Sequence, residues 1–514
     1  MKRLFSLLLA ISFMLIGIAS IHSSHASTED DVHFTVVFEK EKIPKNANEL
    51  IIGLGGEIVD TIPEIGVIQV KAPSEFGFEA TKDKAIKVAS PTLVIENPEL
   101  ETIPMETEKT ETTGKMEKNN RGDQQEIDVA SASLYEQYQW DIKRMTNNGA
   151  SFEIETGNHD VVVGIIDSGI DLHHPDVTKN LLPGSKNYVP AGGLYGYDQS
   201  ETGDINDVQD RNGHGTHVAG NIAGNGQILG IAPHIGFKAY RVFAAEGGAY
   251  SSWINKAMID AANDGVDVIS MSLGGIYVKG KVYWTNPDTG ETYDYGNDVA
   301  DYVAYMRAAQ YANSKGVLVV AAAGNAALNA TNKKEVTEFA NELYDDYGYH
   351  FVGASFYTPA SVPNIVTVSA TGPTDELSLY SNYGSGFVDV AGVGGDYRTF
   401  LQYSEEDRVD EYIENQLYAD EFNLSSVPVV EYEYNDNGTI KDYKYLYPGY
   451  SWYIGTSMAT PKVSAVAALL KVKYGDVNPY KLKTLVQNTT EDLGKVGYDE
   501  HYGHGFVNAY KALQ

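Results

Sequence analysis

Three residues in this chain have the types and surroundings for acyl transfer, and they stand in the order aspartate, histidine, serine. Asp167 closes the β-branched run Val161-Val162-Val163-Gly164-Ile165-Ile166 and precedes Ser168-Gly169-Ile170-Asp171. His214 sits between glycines in Asn212-Gly213-His214-Gly215-Thr216-His217-Val218-Ala219-Gly220. Ser457 lies in Gly455-Thr456-Ser457-Met458-Ala459-Thr460-Pro461, at the mouth of an apolar helix that continues from Val463 to Leu470. Each has a plain structural alternative: Asp167 could cap a helix or bind a metal, Ser457 could be an ordinary N-cap, and a histidine can serve packing alone. Yet the flanking glycines give His214 little to pack against. A serine at a helix mouth is surrounded by backbone N–H groups without helical acceptors and by the positive end of the dipole. As a set, Ser457 would attack a carbonyl and His214 would move its proton to the leaving amine. Asp167 would fix the imidazole tautomer and stabilise its charged form. Asn325, in Ala323-Gly324-Asn325, places an amide where it could donate to the oxyanion beside the Ser457 N–H.

The elements that must hold these residues are readable as buried runs. Val161 to Ile166, Val266 to Met271, Val317 to Ala323 and Ile365 to Val368 are continuous apolar or β-branched stretches, as expected of strands covered on both faces. Helical segments alternate with them. The expected fold is therefore α/β with a doubly wound parallel sheet, its active site beyond the carboxyl ends of the strands. Three polar, aromatic-rich stretches, about 276–296, 326–353 and 395–449, interrupt this plan and read as surface insertions.

The first part of the chain is organised differently. Lys2-Arg3, an apolar stretch from Leu4 to Ile21 and the small-x-small pattern Ser24-His25-Ala26 read as a signal peptide over 1–26. An N-terminal membrane anchor is the alternative. Residues 27–99 form a small α+β domain of βαββαβ-like order, with strands at His33 to Glu39, Gly66 to Val70 and Leu93 to Ile95, and helices around Asn46 to Ile51 and Ala80 to Val88. A segment rich in Glu, Thr, Lys, Gln and Asn then reads as an exposed linker across 100–134, ahead of a large domain over 135–514.

Composition sets outer bounds. The 514 residues exceed one core, which fits two or three parts. Zero cysteines exclude disulfides and thiol chemistry, so an exported protein must rely on core burial and, where needed, bound ions. A formal charge of -32 argues against nucleic acid or an anionic membrane as partner and favours solubility. The expected location is extracellular, and the expected state is a monomer.

The four motifs around Asp167, His214, Asn325 and Ser457 together resemble those of the subtilisin-like serine proteases, over about Tyr135 to Gln514. The resemblance implies a serine endopeptidase that needs no cofactor for its chemistry, with Asp167, His214 and Ser457 catalytic and Asn325 in the oxyanion hole. It also implies that His217 is structural; Met458, directly after Ser457, is an expected oxidation-sensitive position, and the charged neighbours Asp171 and Asp210 read as local capping or solvation. Gly247-Gly248 and Ser272-Leu273-Gly274-Gly275 match the two edges that sandwich an extended peptide in such enzymes, where glycine permits close approach. Residues 27–99 then resemble the family's ferredoxin-like propeptide, an inhibitor and chaperone whose tail is the first substrate. That puts self-cleavage between Glu99 and Leu100 and implies an acidic preference. The segment from Gly220 to Pro233 is shorter than in relatives with a tight calcium site, so structural calcium is left open and metal ligands are unassigned. Insertions beside the cleft suggest a processing enzyme. Among these the chain looks most like the secreted leader peptidases of lanthipeptides, with a precursor leader peptide as substrate and Tyr357 and His350 as candidate acid-binding residues. A broad degradative protease and a catalytically silent peptide-binding protein are the alternatives.

Overall fold

The computed structural model describes residues 31–92, 94–97, 102–105, 127, 129–285, 289–297, 299–345 and 348–514. The expected signal peptide, the Glu99–Leu100 bond and most of the linker lie outside the described residues. Four antiparallel strands make the first sheet, β1 (Asp31–Phe38), β2 (Glu57–Ile62), β3 (Val67–Pro73) and β4 (Ile86–Pro91), in the order β2-β3-β1-β4. Helices Ala47–Gly53 and Phe76–Ala80 join them. Two expectations need correction here. The helix expected at Ala80 to Val88 lies earlier and is short, because Ile86, Val88 and Ala89 are buried as strand residues. The extended piece near Val94 does not join this sheet: β5 (Val94–Glu96) pairs instead with β10 (Gly248–Tyr250) of the large domain.

The large domain is built on nine strands. They are β7 (Val162–Asp167), β8 (Lys186–Asn187), β9 (Gly236–Arg241), β11 (Val268–Met271), β14 (Leu318–Ala322), β16 (Val366–Thr371), β17 (Val390–Val393), β20 (Thr490–Glu491) and β21 (Phe506–Val507). Their order is β20-β21-β17-β16-β14-β11-β7-β9-β8, parallel except for the β20–β21 edge. Every residue of β7, β11, β14 and β16 is buried, which is why these runs lack polar alternation. Val163 and Ile165 face the helices His214–Ala223 and Thr456–Tyr474, while Val162 and Ile166 face Ser251–Asn263 and Val299–Ser314. Helices thus cover both faces. Among the described residues no helix is long and apolar enough to cross a membrane.

The insertions are more than surface loops. The first two combine into one antiparallel ribbon, β13 (Thr292–Asp294), β12 (Gly275–Thr285) and β15 (Tyr349–Thr358), in which Gly275 faces Thr358 and Trp284 faces Tyr349. Helix Lys333–Tyr344 packs on it through Val336 and Ala340, closing a core with Ile276, Val278, Val282 and Phe351. The third forms the long hairpin β18 (Asn423–Tyr434) and β19 (Ile440–Tyr453), whose root is buried with Phe400, Tyr412 and Trp452. Pro428 is tolerated because β18 is an edge strand. β6 (Thr102–Pro104), from the segment read as an exposed linker, adds a third strand to β19 and buries Ile103.

The two domains share apolar packing. Val37, Ile65, Val67 and Val88 lie in one cluster with Ile254, Ala304 and Ala308. Arg307 donates to the carbonyl oxygens of Ile65 and Phe38 at 2.9 Å each, and Thr35 Oγ1 donates to Asp301 at 2.7 Å.

Candidate active site

Asp167 is the last residue of β7 and His214 the first of its helix, and they meet directly: His214 Nδ1 lies 2.7 Å from Asp167 Oδ1, with both side chains 1 % exposed. This contact puts the ring proton on Nδ1 and leaves Nε2 as the basic nitrogen. Asp210 holds the helix start in place. Its carboxylate accepts from the Ser168 hydroxyl, the Asn212, Gly213 and Thr216 backbone N–H groups and the Thr216 hydroxyl, at 2.6–3.0 Å. Asp210 is fully buried, so the capping expectation fits and the solvation one does not. A carboxylate at this end also complements the helix dipole. Gly215 lies so close to the Gly169 carbonyl that any Cβ there would clash.

Ser457 is the second residue of helix Thr456–Tyr474, which packs against the helix carrying His214. Its hydroxyl donates to the Ser272 carbonyl at 3.1 Å, and the Ser272 hydroxyl donates to the Ser457 carbonyl at 2.8 Å. The second bond follows from the sequence. Pro461 has no N–H to offer the carbonyl four residues back, and Ser272 supplies the missing donor. Asn325 Oδ1 accepts from the Thr456 backbone N–H at 2.9 Å and from its hydroxyl at 2.8 Å, which fixes the amide and turns Nδ2 away. A Cβ built on Gly455, whose φ is +148°, would lie 3.2 Å from Asn325 Nδ2 and 3.5 Å from the Ser457 nitrogen. The Asn325 amide nitrogen and the Ser457 nitrogen therefore border a space that a side chain on residue 455 would fill. Asp167, Ser272, Asn325 and Ser457 all lie at or just beyond the carboxyl ends of sheet strands or at the helix start beside them.

The two glycine-bearing edges face a strand of the chain itself. Ile95 pairs with Ala249 and Glu96 with Gly248, and the Asn97 N–H donates to the Gly247 carbonyl at 3.1 Å. Any Cβ on Gly248 would strike Val94, and one on Gly275 would lie 3.3 Å from Ile95 Cγ1. Leu273 is buried behind this edge.

Of the two acid-binding candidates, Tyr357 lies beside the glycine-bearing edge and His350 does not. Its ring lies between the two walls: a Cβ on Gly274 would lie 2.8 Å from Tyr357 Cε1, and one on Gly324 would clash with the same ring. Burial pushes its phenol up to about 12. His350 is paired with Tyr283 toward the far end of the ribbon and is exposed; at about 3.3 Å per residue it stands roughly 23 Å from Tyr357. It lies away from the glycine-bearing edge.

His217 is fully buried, stacked on Tyr453 with centroids 4.1 Å apart, and bonded to the Asn423 and Ser451 carbonyls and to Asn221. Burial, then Lys462 and His214, drive its pKa well below the usual value, so it is a neutral structural ring. Met458 is buried in the core cluster. Asp171 caps the turn at His173 and accepts from the Tyr445 hydroxyl at 3.1 Å; desolvation raises its pKa. Sequence reading missed Arg241, which ends β9, donates to the Ser168 carbonyl at 3.1 Å and pairs with buried Glu201, itself paired to Arg211. The only signal was an arginine closing a largely buried strand. Among the described residues no group of three or more His, Asp or Glu is placed to hold a metal ion.

A parallel sheet with Asp, His and Ser in this order at its carboxyl edge defines a class of hydrolase, and the family model agrees. The chain belongs to the subtilase family, whose model matches residues 158–505, more than half of its length, and it is a serine protease. Among its relatives, the epidermin leader peptide-processing serine protease of Staphylococcus epidermidis is 29% identical over 98% of both chains. The nisin leader peptide-processing serine protease of Lactococcus lactis is 34% identical over 70% of this chain and 47% of its own. The crystal structure of the epidermin leader peptide protease from Staphylococcus aureus superposes with a TM-score of 0.72 at 30% identity, covering 94% of this chain and 98% of that one.

Proposed function

We propose that this protein is an extracellular, self-activating endopeptidase that removes the leader from a lanthipeptide precursor by cutting after an acidic residue. Ser457 is the nucleophile, His214 the general base and then acid, Asp167 its orienting partner, and Asn325 with the Ser457 N–H the oxyanion donors. The observation that carries the reading is β5 on β10: the chain's own tail lies antiparallel in the glycine-edged cleft, as an extended substrate would. Similarity to two leader-processing relatives supports the substrate class. The acidic preference follows from Glu99, two residues past the last one anchored on β10.

The test is the intact mass of the full-length secreted chain beside Ser457→Ala. Fragments meeting at Glu99 and Leu100 in the wild type alone support nucleophile, self-processing and preference together. Two intact, folded proteins would overturn self-activation. A peptide ending in Asn-Pro-Glu, assayed against casein, then separates a leader peptidase from a degradative enzyme, because the former leaves casein nearly untouched.

A further inference from the structure

The described chain touches the catalytic region twice. Upstream, β5 lies on β10 and against Gly275, three residues from Ser272, whose hydroxyl bonds the Ser457 carbonyl. Downstream, β6 lies on β19, with Thr102 opposite Tyr453, Ile103 opposite Trp452 and Pro104 opposite Ser451. Tyr453 is four residues before Ser457. The two anchors therefore precede and follow the expected cut in the chain, each on an element next to the one that carries Ser457. A peptide bound for cleavage would lie along β10 with its upstream half and run toward the β19 edge with its downstream half.

That edge is already filled, and filled firmly. Ile103 is buried among Ile228, Phe400, Phe422 and Trp452, and the Ser451 hydroxyl donates to its carbonyl at 3.0 Å. The Met105 N–H donates to the Tyr450 carbonyl at 3.0 Å. Cleavage upstream of Thr102 cuts β6 from the small domain but not from the large one, to which it remains covalently joined through residue 127 and beyond. A tethered strand competes at an effective concentration of the order of millimolar, whereas a substrate must bring its own strand from solution.

We infer that β6 is a retained strand that stays on β19 after self-cleavage and denies the third and later downstream residues of a substrate any strand pairing. The proposal rests on the proteolytic reading above. It makes the mature enzyme read its substrates almost entirely upstream of the cut, as suits the removal of a leader whatever follows it, and it disfavours extended protein segments that need both halves of the cleft.

Two peptides with one upstream sequence, ending either two or six residues after the scissile bond, test this with self-cleaved wild type and the Ile103→Asp variant. Both proteins must first show self-cleavage by mass and be freed of the bound small-domain fragment before assay, which separates failure of the proteolytic reading from failure of this one. In the wild type the extra downstream residues should leave kcat/KM within about twofold. In Ile103→Asp, kcat/KM should rise at least tenfold on the long peptide and stay unchanged on the short one. A synthetic peptide of residues 100–106 should reverse that gain. Wild type that already gains tenfold from the longer peptide, or a variant that loses equally on both, overturns the inference. Should Ile103→Asp fail to fold, Ile103→Ala read with the same pair decides in the same way.

Discussion

At the scale of single residues, the proposed oxyanion space depends on a side chain that is missing. Asn325 is held by Thr456 through two hydrogen bonds, so its amide is oriented before any substrate arrives. Asn325→Ala should lower kcat by about 10²–10³ with KM little changed, the scale for removing one preorganised donor. Gly455→Ala should cost similarly for a different reason, since its Cβ would sit where the oxyanion belongs and its φ of +148° is strained for alanine. Steady-state kinetics alongside thermal unfolding of each variant distinguish lost chemistry from lost fold. Both effects belong to kcat.

At the scale of elements, the helix that carries Ser457 also holds a buried charge. Lys462, fully buried in it, pairs with Asp141 at 2.7 Å and donates to Asn423 Oδ1 and the Val393 carbonyl. Burial lowers its pKa, opposed by Asp141. Between a lowered folded pKa and the unfolded value of about 10.4, the unfolded chain binds more protons, so stability rises with pH. Asp141→Asn removes the opposing charge and deepens the shift. Urea unfolding should then show a loss of about 3–5 kcal/mol near neutral pH that shrinks as pH approaches 10. A pH-independent loss would contradict this account.

The elements also show what a sequence discloses. The runs at Val161, Val266, Val317 and Ile365 announced themselves because strands buried on both faces need uninterrupted apolar side chains, and four motifs marked the site from short-range signals. β4 did not, because Ile86 to Pro91 is a short run beside a weak helical pattern. The ribbon did not, because its strands β12 and β15 lie far apart in sequence and pair only through tertiary contact. β6 was invisible for the same reason, since three residues in a polar stretch become a strand only when β19 offers an edge. Tyr357 was visible as a candidate but His350 was not separable from it, because distance along a strand appears only once the strand is known.

At the scale of the whole molecule, two properties act over longer range. The chain carries a formal charge of -32, so an acidic peptide approaches against a repulsive field. Its kcat/KM should rise with salt from about 0.01 to 0.15 M, as screening shortens from ~30 to ~8 Å, whereas a neutral peptide should respond little. The small domain is attached by a shared apolar cluster and by Arg307, so it should remain bound after the chain is cut. Gel filtration of the self-cleaved protein should show both pieces in one peak. Arg307→Ala leaves buried carbonyl oxygens without their charged donor and should speed dissociation about tenfold to a hundredfold.

Arg307 also shows one kind of recognition that joins the two pieces. It grips the carbonyl oxygens of Phe38 and Ile65, which every amino acid possesses, and so it senses the course of the main chain and not the identity of its side groups. This one contact tolerates exchange of the letters at Phe38 and Ile65 in a way the apolar cluster does not. A foreign small domain of different spelling, following the same path, would keep this grip but would still have to match Asp301 and the apolar cluster that Thr35 and Val37 meet.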